Sequence, residues 1–196
     1  LPKEHIGQIL EAAEAAFSVK KDAEITMEAN PGTLSEEKLV FYREAGVNRL
    51  SIGAQSMSER LLRLMGRIHD RRAFLENYRA ARRAGFENIN VDLMLGMPAQ
   101  SMGDWKDSLR EVLELAPEHI SFYSLQLEEG TEFCGKYKNG ELDLPPEETE
   151  RAMYHEGIRM LKEAGYRHYE ISNCARPGFE CRHNLKYWNF DEHLAA

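Results

Sequence analysis

Apolar residues along the chain follow two rhythms, a period of two and a period near four. In Asn88–Pro98 (NINVDLMLGMP), Ile89, Val91, Leu93 and Leu95 are apolar, while Asn90, Asp92 and Met94 stand between them. That alternation predicts a short strand, ended abruptly by the Gly96-Met97-Pro98 turn. Asp92 is placed near the strand's C-terminal end. In α/β folds the loops outside the carboxyl ends of parallel strands hold the ligands, so an acid there suits a polar cofactor better than a core.

Similar runs predict strands at Glu24–Ala29, Arg49–Gly53, His119–Leu125 and His168–Ser172. Helical spacing fills the intervals. Ile6, Leu10, Ala13 and Phe17 mark a helix within Pro2–Val19, and Ser35 can cap a second one running through Tyr42. Glu36 and Glu37 suit that helix's N-terminal dipole. Further helices are predicted over Arg71–Arg83, Met102–Leu115 and Pro146–Ala164. A glycine stop recurs before the strands, as Glu44-Ala45-Gly46-Val47, Arg83-Ala84-Gly85-Phe86 and Glu163-Ala164-Gly165-Tyr166, with a degenerate copy at Leu115-Ala116-Pro117. Helix, stop and strand repeating at roughly 30 to 50 residues predict successive βα units, an α/β fold and a parallel sheet. Right-handed crossovers place every strand's C-terminal end on one side, where polar residues can converge.

Composition narrows the function classes. With 196 residues, 42% hydrophobic and 30% charged, the chain suits one soluble globular core. A net charge of -8 argues against a general nucleic-acid binder. The basic pairs Arg71-Arg72 and Arg82-Arg83 lie on a helical pattern and are expected on a solvated face. No apolar run approaches the roughly 20 residues of a membrane helix, and the first residues lack a signal-peptide layout, so the expected address is cytoplasmic, without membrane insertion. Cys134, Cys174 and Cys181 match neither a disulfide framework nor a CxxC metal site.

The candidate chemistry lies at the strand ends. Glu28 closes the first strand, Gln55 follows the second, Asp92 closes the third and Gln126 follows the fourth, with Arg67 in the loop-helix region after Gln55. Two carboxylates, two amides and a guanidinium on one rim can hold a zwitterionic ligand with hydroxyls. The Arg would take a carboxylate in bidentate fashion, and the acids an ammonium or a ribose diol. A strand-end acid is as often a helix cap or a loop anchor, but five such residues on successive units form a pattern.

A family resemblance is carried by longer runs. Glu28-Ala29-Asn30-Pro31-Gly32-Thr33, Gly46-Val47-Asn48-Arg49-Leu50-Ser51-Ile52-Gly53-Ala54-Gln55-Ser56 and Gly66-Arg67-Ile68-His69 resemble the oxygen-independent coproporphyrinogen oxidase group of radical S-adenosylmethionine (SAM) proteins. So do Val91-Asp92-Leu93, Gly96-Met97-Pro98, His119-Ile120-Ser121, Glu129-Gly130-Thr131 and Tyr169-Glu170-Ile171-Ser172-Asn173, all in the family's order. Within that group, His183-Asn184-Leu185-Lys186-Tyr187-Trp188 resembles the HNxxYW motif of HemW-type haem chaperones. A histidine is a haem iron ligand, and Tyr and Trp offer flat faces to a macrocycle. The same motif can also be a packing corner in which His183 satisfies backbone groups. Cys181 is a second candidate haem contact, with a small buried residue as the alternative.

The resemblance implies a partial (β/α)6 barrel of the radical SAM type, truncated at its N-terminal side. Residues 1–172 would form the incomplete core, and 173–196 would begin the C-terminal region carrying the haem motif. It implies that Glu28, Gln55, Arg67 and Asp92 contact SAM, with Gln126 contributing through its backbone. It also implies that His183, Asn184, Tyr187 and Trp188 contact haem, with His183 a possible iron ligand. The implied chemistry is reductive cleavage of SAM at a [4Fe–4S] cluster to a 5′-deoxyadenosyl radical. The family's CxxxCxxC ligands and glycine-rich SAM motif are absent from this sequence, and Cys134, Cys174 and Cys181 cannot substitute at their spacing. The expectation is therefore a fragment whose cluster ligands lie upstream, with Leu194-Ala195-Ala196 running on towards a glycine-rich continuation. Three function classes follow: a haem chaperone passing haem to an acceptor protein, a coproporphyrinogen dehydrogenase, and a non-catalytic scaffold.

Overall fold

The period of two sorts the strands into an apolar face and a polar face. The computed structural model describes residues 2–193; the expected continuation at Leu194-Ala195-Ala196 lies outside the described residues. Six strands, β1 (Thr26–Ala29), β2 (Arg49–Gln55), β3 (Ile89–Leu95), β4 (His119–Ser124), β5 (Arg167–Glu170) and β6 (Asn173–Ala175), form one sheet. Their spatial order is β1-β2-β3-β4-β6-β5. The first four pair in parallel. Eight helices accompany them: α1 (Lys3–Ala16), α2 (Glu36–Glu44), α3 (Glu59–Leu64), α4 (Arg71–Arg83), α5 (Met102–Leu115), α6 (Glu132–Lys138), α7 (Glu147–Glu163) and α8 (Arg182–Trp188). This is the expected α/β arrangement on a mostly parallel sheet, open at β1 and β5.

The apolar face builds the core. Leu50, Ile52 and Ala54 of β2, Ile89, Val91, Leu93 and Leu95 of β3, and Ile120 and Phe122 of β4 pack with Phe74 of α4, Trp105, Leu109 and Val112 of α5, and Met153 and Leu161 of α7. Trp105 is fully buried, and its indole Nε1–H donates to the Met153 carbonyl at 2.7 Å, joining α5 to α7. Phe122 lies between them, its ring 6.1 Å from Trp105 and 5.5 Å from Tyr154. Such tilted aromatic contacts add to the area they bury.

Local signals set the boundaries. Ser35 accepts from the Lys38 amide at 3.2 Å, Asp70 from Ala73 at 2.7 Å, and Ser101 with Asp104 forms a full capping box. α4 and α5 consequently keep their predicted limits. The recurrent stop is a left-handed backbone position, with φ of 107° at Gly46 and 87° at Gly85. In the degenerate copy Ala116 holds the same conformation at φ 52°, against its Cβ.

Three expectations need correction. The last strand was expected as one parallel run over His168–Ser172. Instead β5 ends at Glu170, and the chain returns as β6, antiparallel to both β4 and β5. Glu170 folds that turn, because its Oε1 accepts from the Ser172 amide at 3.2 Å and from the Asn173 side chain. Arg82 is not on a solvated face: it donates to Tyr78 Oη at 2.7 Å, Glu118 Oε1 at 2.9 Å and the Phe86 carbonyl at 3.0 Å. Asp92 lies in the middle of β3 rather than near its end, since pairing with β4 continues through Leu95. The short α3, α6 and α8 escaped prediction because six or seven residues hold too few turns to show a period.

No helix among the described residues is long and apolar enough to cross a membrane. Because Phe122 is fully buried between two helices, Phe122→Ala is expected to destabilise the fold by about 3–5 kcal/mol. Urea unfolding followed by circular dichroism measures this, and a loss below about 1 kcal/mol would contradict the packing described.

Candidate functional site

The polar face of the sheet is the floor of the site. Thr26 and Glu28 of β1, Arg49 and Ser51 of β2, Asn90 and Asp92 of β3, Ser121 and Tyr123 of β4, and Asn173 of β6 all line one cavity of about 850 Å³. Strand register brings them together: Glu28 pairs with Ser51, Ser51 with Asn90, and Asp92 with Ser121.

These side chains satisfy one another in a chain of hydrogen bonds. Asn90 Nδ2 donates to Ser51 Oγ at 2.8 Å and to Asp92 Oδ1 at 2.7 Å, and Ser51 Oγ donates to Asp92 Oδ2 at 3.0 Å. Asn90 Oδ1 accepts from His119 Nδ1 at 2.6 Å, which places the ring proton on Nδ1; Nε2 then accepts from Tyr169 Oη at 2.8 Å. Ser121 Oγ donates to Asn173 Oδ1 at 2.5 Å. His119 is fully buried, and that burial, with the Arg49 charge adding to it, pushes its pKa down to about 3. The imidazole is therefore a neutral strut, as its two partners require.

Asp92 keeps ligand capacity. A carboxylate has about four lone-pair directions, and the two bonds described use only half of them. Glu28 exposes its carboxylate at the same cavity. Gln55 ends β2 with a left-handed backbone, φ 63°, just past a register shift between Gly53 and Gln55. Its carboxamide folds over Gly53, where a Cβ would come within 2.7 Å of Gln55 Nε2, and its Oε1 accepts from Tyr123 Oη at 3.3 Å. A buried non-glycine residue in that conformation is the kind of local strain that collects at functional sites. Burial raises the Tyr123 pKa, the Asp92 charge adds to it, and the Arg67 and Glu28 charges also reach this phenol.

The expected residues are thus divided. Glu28 and Asp92 share the large cavity, Gln55 stands beside it through Tyr123, and Arg67 lines an adjoining hollow of about 460 Å³ with Asn30, Gly32 and His69. Gln126 is exposed in the loop after β4, outside the lining of both. In the haem motif, His183 and Asn184 line the large cavity, whereas Tyr187 and Trp188 are about half exposed and outside its lining. The His183 and Tyr187 rings meet edge to face at 5.0 Å. α8 is held there by Glu24, whose carboxylate accepts from the Arg182 amide at 3.1 Å and from Cys181 Sγ at 3.6 Å. Cys181 is buried at the start of α8 and lines the same cavity.

Sequence reasoning overlooked Arg49, Ser51, His119, Tyr123 and Asn173 as site residues. Counting by twos from Gln55 and Asp92 would have found the first two and Asn90, because strand alternation puts them on one face. The β6 return hid Asn173.

The cysteines do not fit a [4Fe–4S] cluster. All three are free and buried, and among the described residues no group of three His, Cys, Asp or Glu side chains could hold a metal ion. Burial pushes the Cys174 thiol up to about 12, away from the thiolate a cluster needs.

Residues 2–112 match the Radical SAM superfamily. The chain is 42% identical over 191 residues to "Radical S-adenosyl methionine domain-containing protein 1, mitochondrial" of Bos taurus, covering 97% of this chain and 43% of that protein. It is 40% identical over 186 residues to "Heme chaperone HemW" of Escherichia coli strain K12, covering 95% of this chain and 48% of the chaperone. Among solved structures, the coproporphyrinogen III oxidase HemN of Escherichia coli superposes with a TM-score of 0.80 at 28% identity, over 96% of this chain and 43% of the oxidase. The chain thus spans about half the length of the curated relatives it matches.

Proton linkage offers a check on the strut. His119 stays neutral in the fold down to about pH 3, whereas the unfolded imidazole takes a proton near pH 6.5. Below that pH the unfolded state binds the extra proton, so the contribution of His119 to stability is full above about 6.5 and declines as pH falls towards 3. His119→Gln removes this dependence. The stability gap between wild type and His119→Gln is expected to narrow from pH 7 to pH 4 in urea titrations; a constant gap would contradict a buried neutral ring.

Proposed function

The chain belongs to the radical SAM superfamily, and we propose that it is the SAM- and haem-binding part of a haem chaperone. The observation that carries this proposal is the joining of two motifs in one cavity. Glu28 and Asp92, which suit the ammonium and ribose diol of SAM, face the same space as His183 and Asn184. Identity to the Escherichia coli haem chaperone extends over nearly the whole chain.

The residues fit SAM by donor type. Asp92 and Glu28 offer free carboxylate lone pairs, Gln55 an amide beside Tyr123, and Arg67 a guanidinium for the amino-acid carboxylate. When bound, SAM supplies radical chemistry only with an electron from an iron–sulfur cluster, and this chain's cysteines do not hold one. Its own residues bind, orient and shield. Gln126, in the exposed loop after β4, would contribute through its backbone.

Haem fits the α8 side. His183 is exposed at the cavity with its imidazole available as an axial ligand, Tyr187 places its ring beside it, and Trp188 offers a further exposed flat face on the same helix. A haem held at one exposed helix can be handed to an acceptor protein. A second reading, oxidative decarboxylation of coproporphyrinogen by the whole protein, draws on the structural likeness to the coproporphyrinogen oxidase. Coproporphyrinogen turnover by a cluster-loaded full-length protein would favour it.

Two outcomes are expected. Titrating haemin into the chain shifts the Soret band, and His183→Ala abolishes the shift while leaving the circular dichroism spectrum unchanged; an unaltered titration would overturn the haem assignment. Anaerobic reconstitution with iron and sulfide gives no stoichiometric cluster on this polypeptide, read as the absence of a protein-bound absorbance near 400 nm.

A further inference from the structure

Arg49 opens β2 on the polar face, opposite Thr26 of β1 and two residues before Ser51. It lines the large cavity yet is only 4% exposed. Its Nε is buried without a partner, and its guanidinium takes part in no hydrogen bond or ion pair among the described residues. A buried charge left unpaired is one of the costliest arrangements a protein interior can hold, so such a group marks a place where an anion belongs.

The acids around the cavity do not supply that anion. Glu24 is engaged by the Arg182 amide and Cys181 Sγ, and Asp92 by Ser51 and Asn90. Glu28 pairs with Ser51, while Thr26 stands opposite Arg49. The Arg49 charge instead reaches two neutral groups, His119 and Cys181. Lys20, Arg182, His183 and Lys186 line the same cavity, so its α8 side is rich in basic groups.

Position separates Arg49 from Gln55 and Arg67. Arg49 begins β2 and Gln55 ends it, which puts them roughly 20 Å apart along the strand. Arg67, on the Gln55 side, is already assigned to the amino-acid carboxylate of SAM. Arg49 faces the side that α8 closes with His183 and Asn184.

We propose that Arg49 binds a carboxylate of the porphyrin ligand, a propionate that enters the cavity from the α8 side while the macrocycle stays at His183. The planar guanidinium matches a carboxylate in bidentate geometry, and the burial of the Arg49 side chain strengthens the pair. This inference rests on the haem-binding assignment of His183, and it adds a residue that decides which porphyrins are accepted: those with a free acid side chain.

The test compares haemin with haemin dimethyl ester, which keeps the iron and the ring but has no free carboxylate. Wild type is expected to bind haemin at least about tenfold more tightly than the ester, by Soret titration, as a charge-assisted hydrogen bond to a buried group implies. Arg49→Gln is expected to lose that preference, binding both ligands with the affinity of wild type for the ester, and Arg49→Lys to restore part of it. Binding of S-adenosylhomocysteine by calorimetry is expected to be the same in wild type and Arg49→Gln. Equal affinity of wild type for haemin and its ester overturns the inference without involving any variant. So does a loss of S-adenosylhomocysteine binding in Arg49→Gln with the haemin preference intact. Absence of any His183-dependent Soret shift in wild type instead overturns the haem assignment itself, which keeps the two failures distinguishable.

Discussion

One carboxamide holds the polar face together. Asn90 donates to Ser51 on one neighbouring strand and accepts from His119 on the other, while fixing Asp92 two residues along its own. A polar inner face survives burial only when most of its donors and acceptors match, because each orphaned group, as at Arg49 Nε, carries its full desolvation cost. Asn90 supplies both functions from one side chain at the centre of the sheet. Without it, the Ser51 hydroxyl, the Asp92 carboxylate and the His119 ring would have no common reference, and the cavity floor would lose its shape.

That constraint explains why the two faces of the sheet diverge so sharply. Leu50, Ile52 and Ala54 alternate with Arg49, Ser51, Gly53 and Gln55 on one strand, so β2 is buried along its whole length while serving two environments. The apolar set meets α4, α5 and α7 and supplies the fold's cohesion. The polar set contributes little net stability but fixes positions. The candidate site residues are therefore placed by strand pairing, which is rigid, and the loops have only to complete the rim.

Much of this could be read along the sequence. Alternation located β1 to β4, the Ser35 cap located α2 and helical spacing located α4, because these signals are local. Glu28, Gln55, Arg67 and Asp92 stand out at or after strand ends, with a family resemblance implying their ligand, and the structure places Glu28 and Asp92 on one cavity and Arg67 on its neighbour. What stayed hidden depended on distant partners. The reversal into β6 is set by Glu170 bonding back to Ser172 and Asn173, a turn that no apolar rhythm marks. Arg82 reads as a surface charge until Glu118, far along the chain, is brought beside it. Arg49 resembles a strand-opening surface residue, and only the sheet reveals that it is enclosed.

The clasp between Glu24 and α8 has a further consequence for how the molecule assembles. Its partners are separated by 157 and 158 positions, so closing it joins nearly the two ends of the chain and forfeits the loop entropy of everything between. Closing a contact between residues so far apart costs more loop entropy than closing a local one, so the clasp raises the contact order of the fold and slows the assembly of the side of the cavity that carries His183.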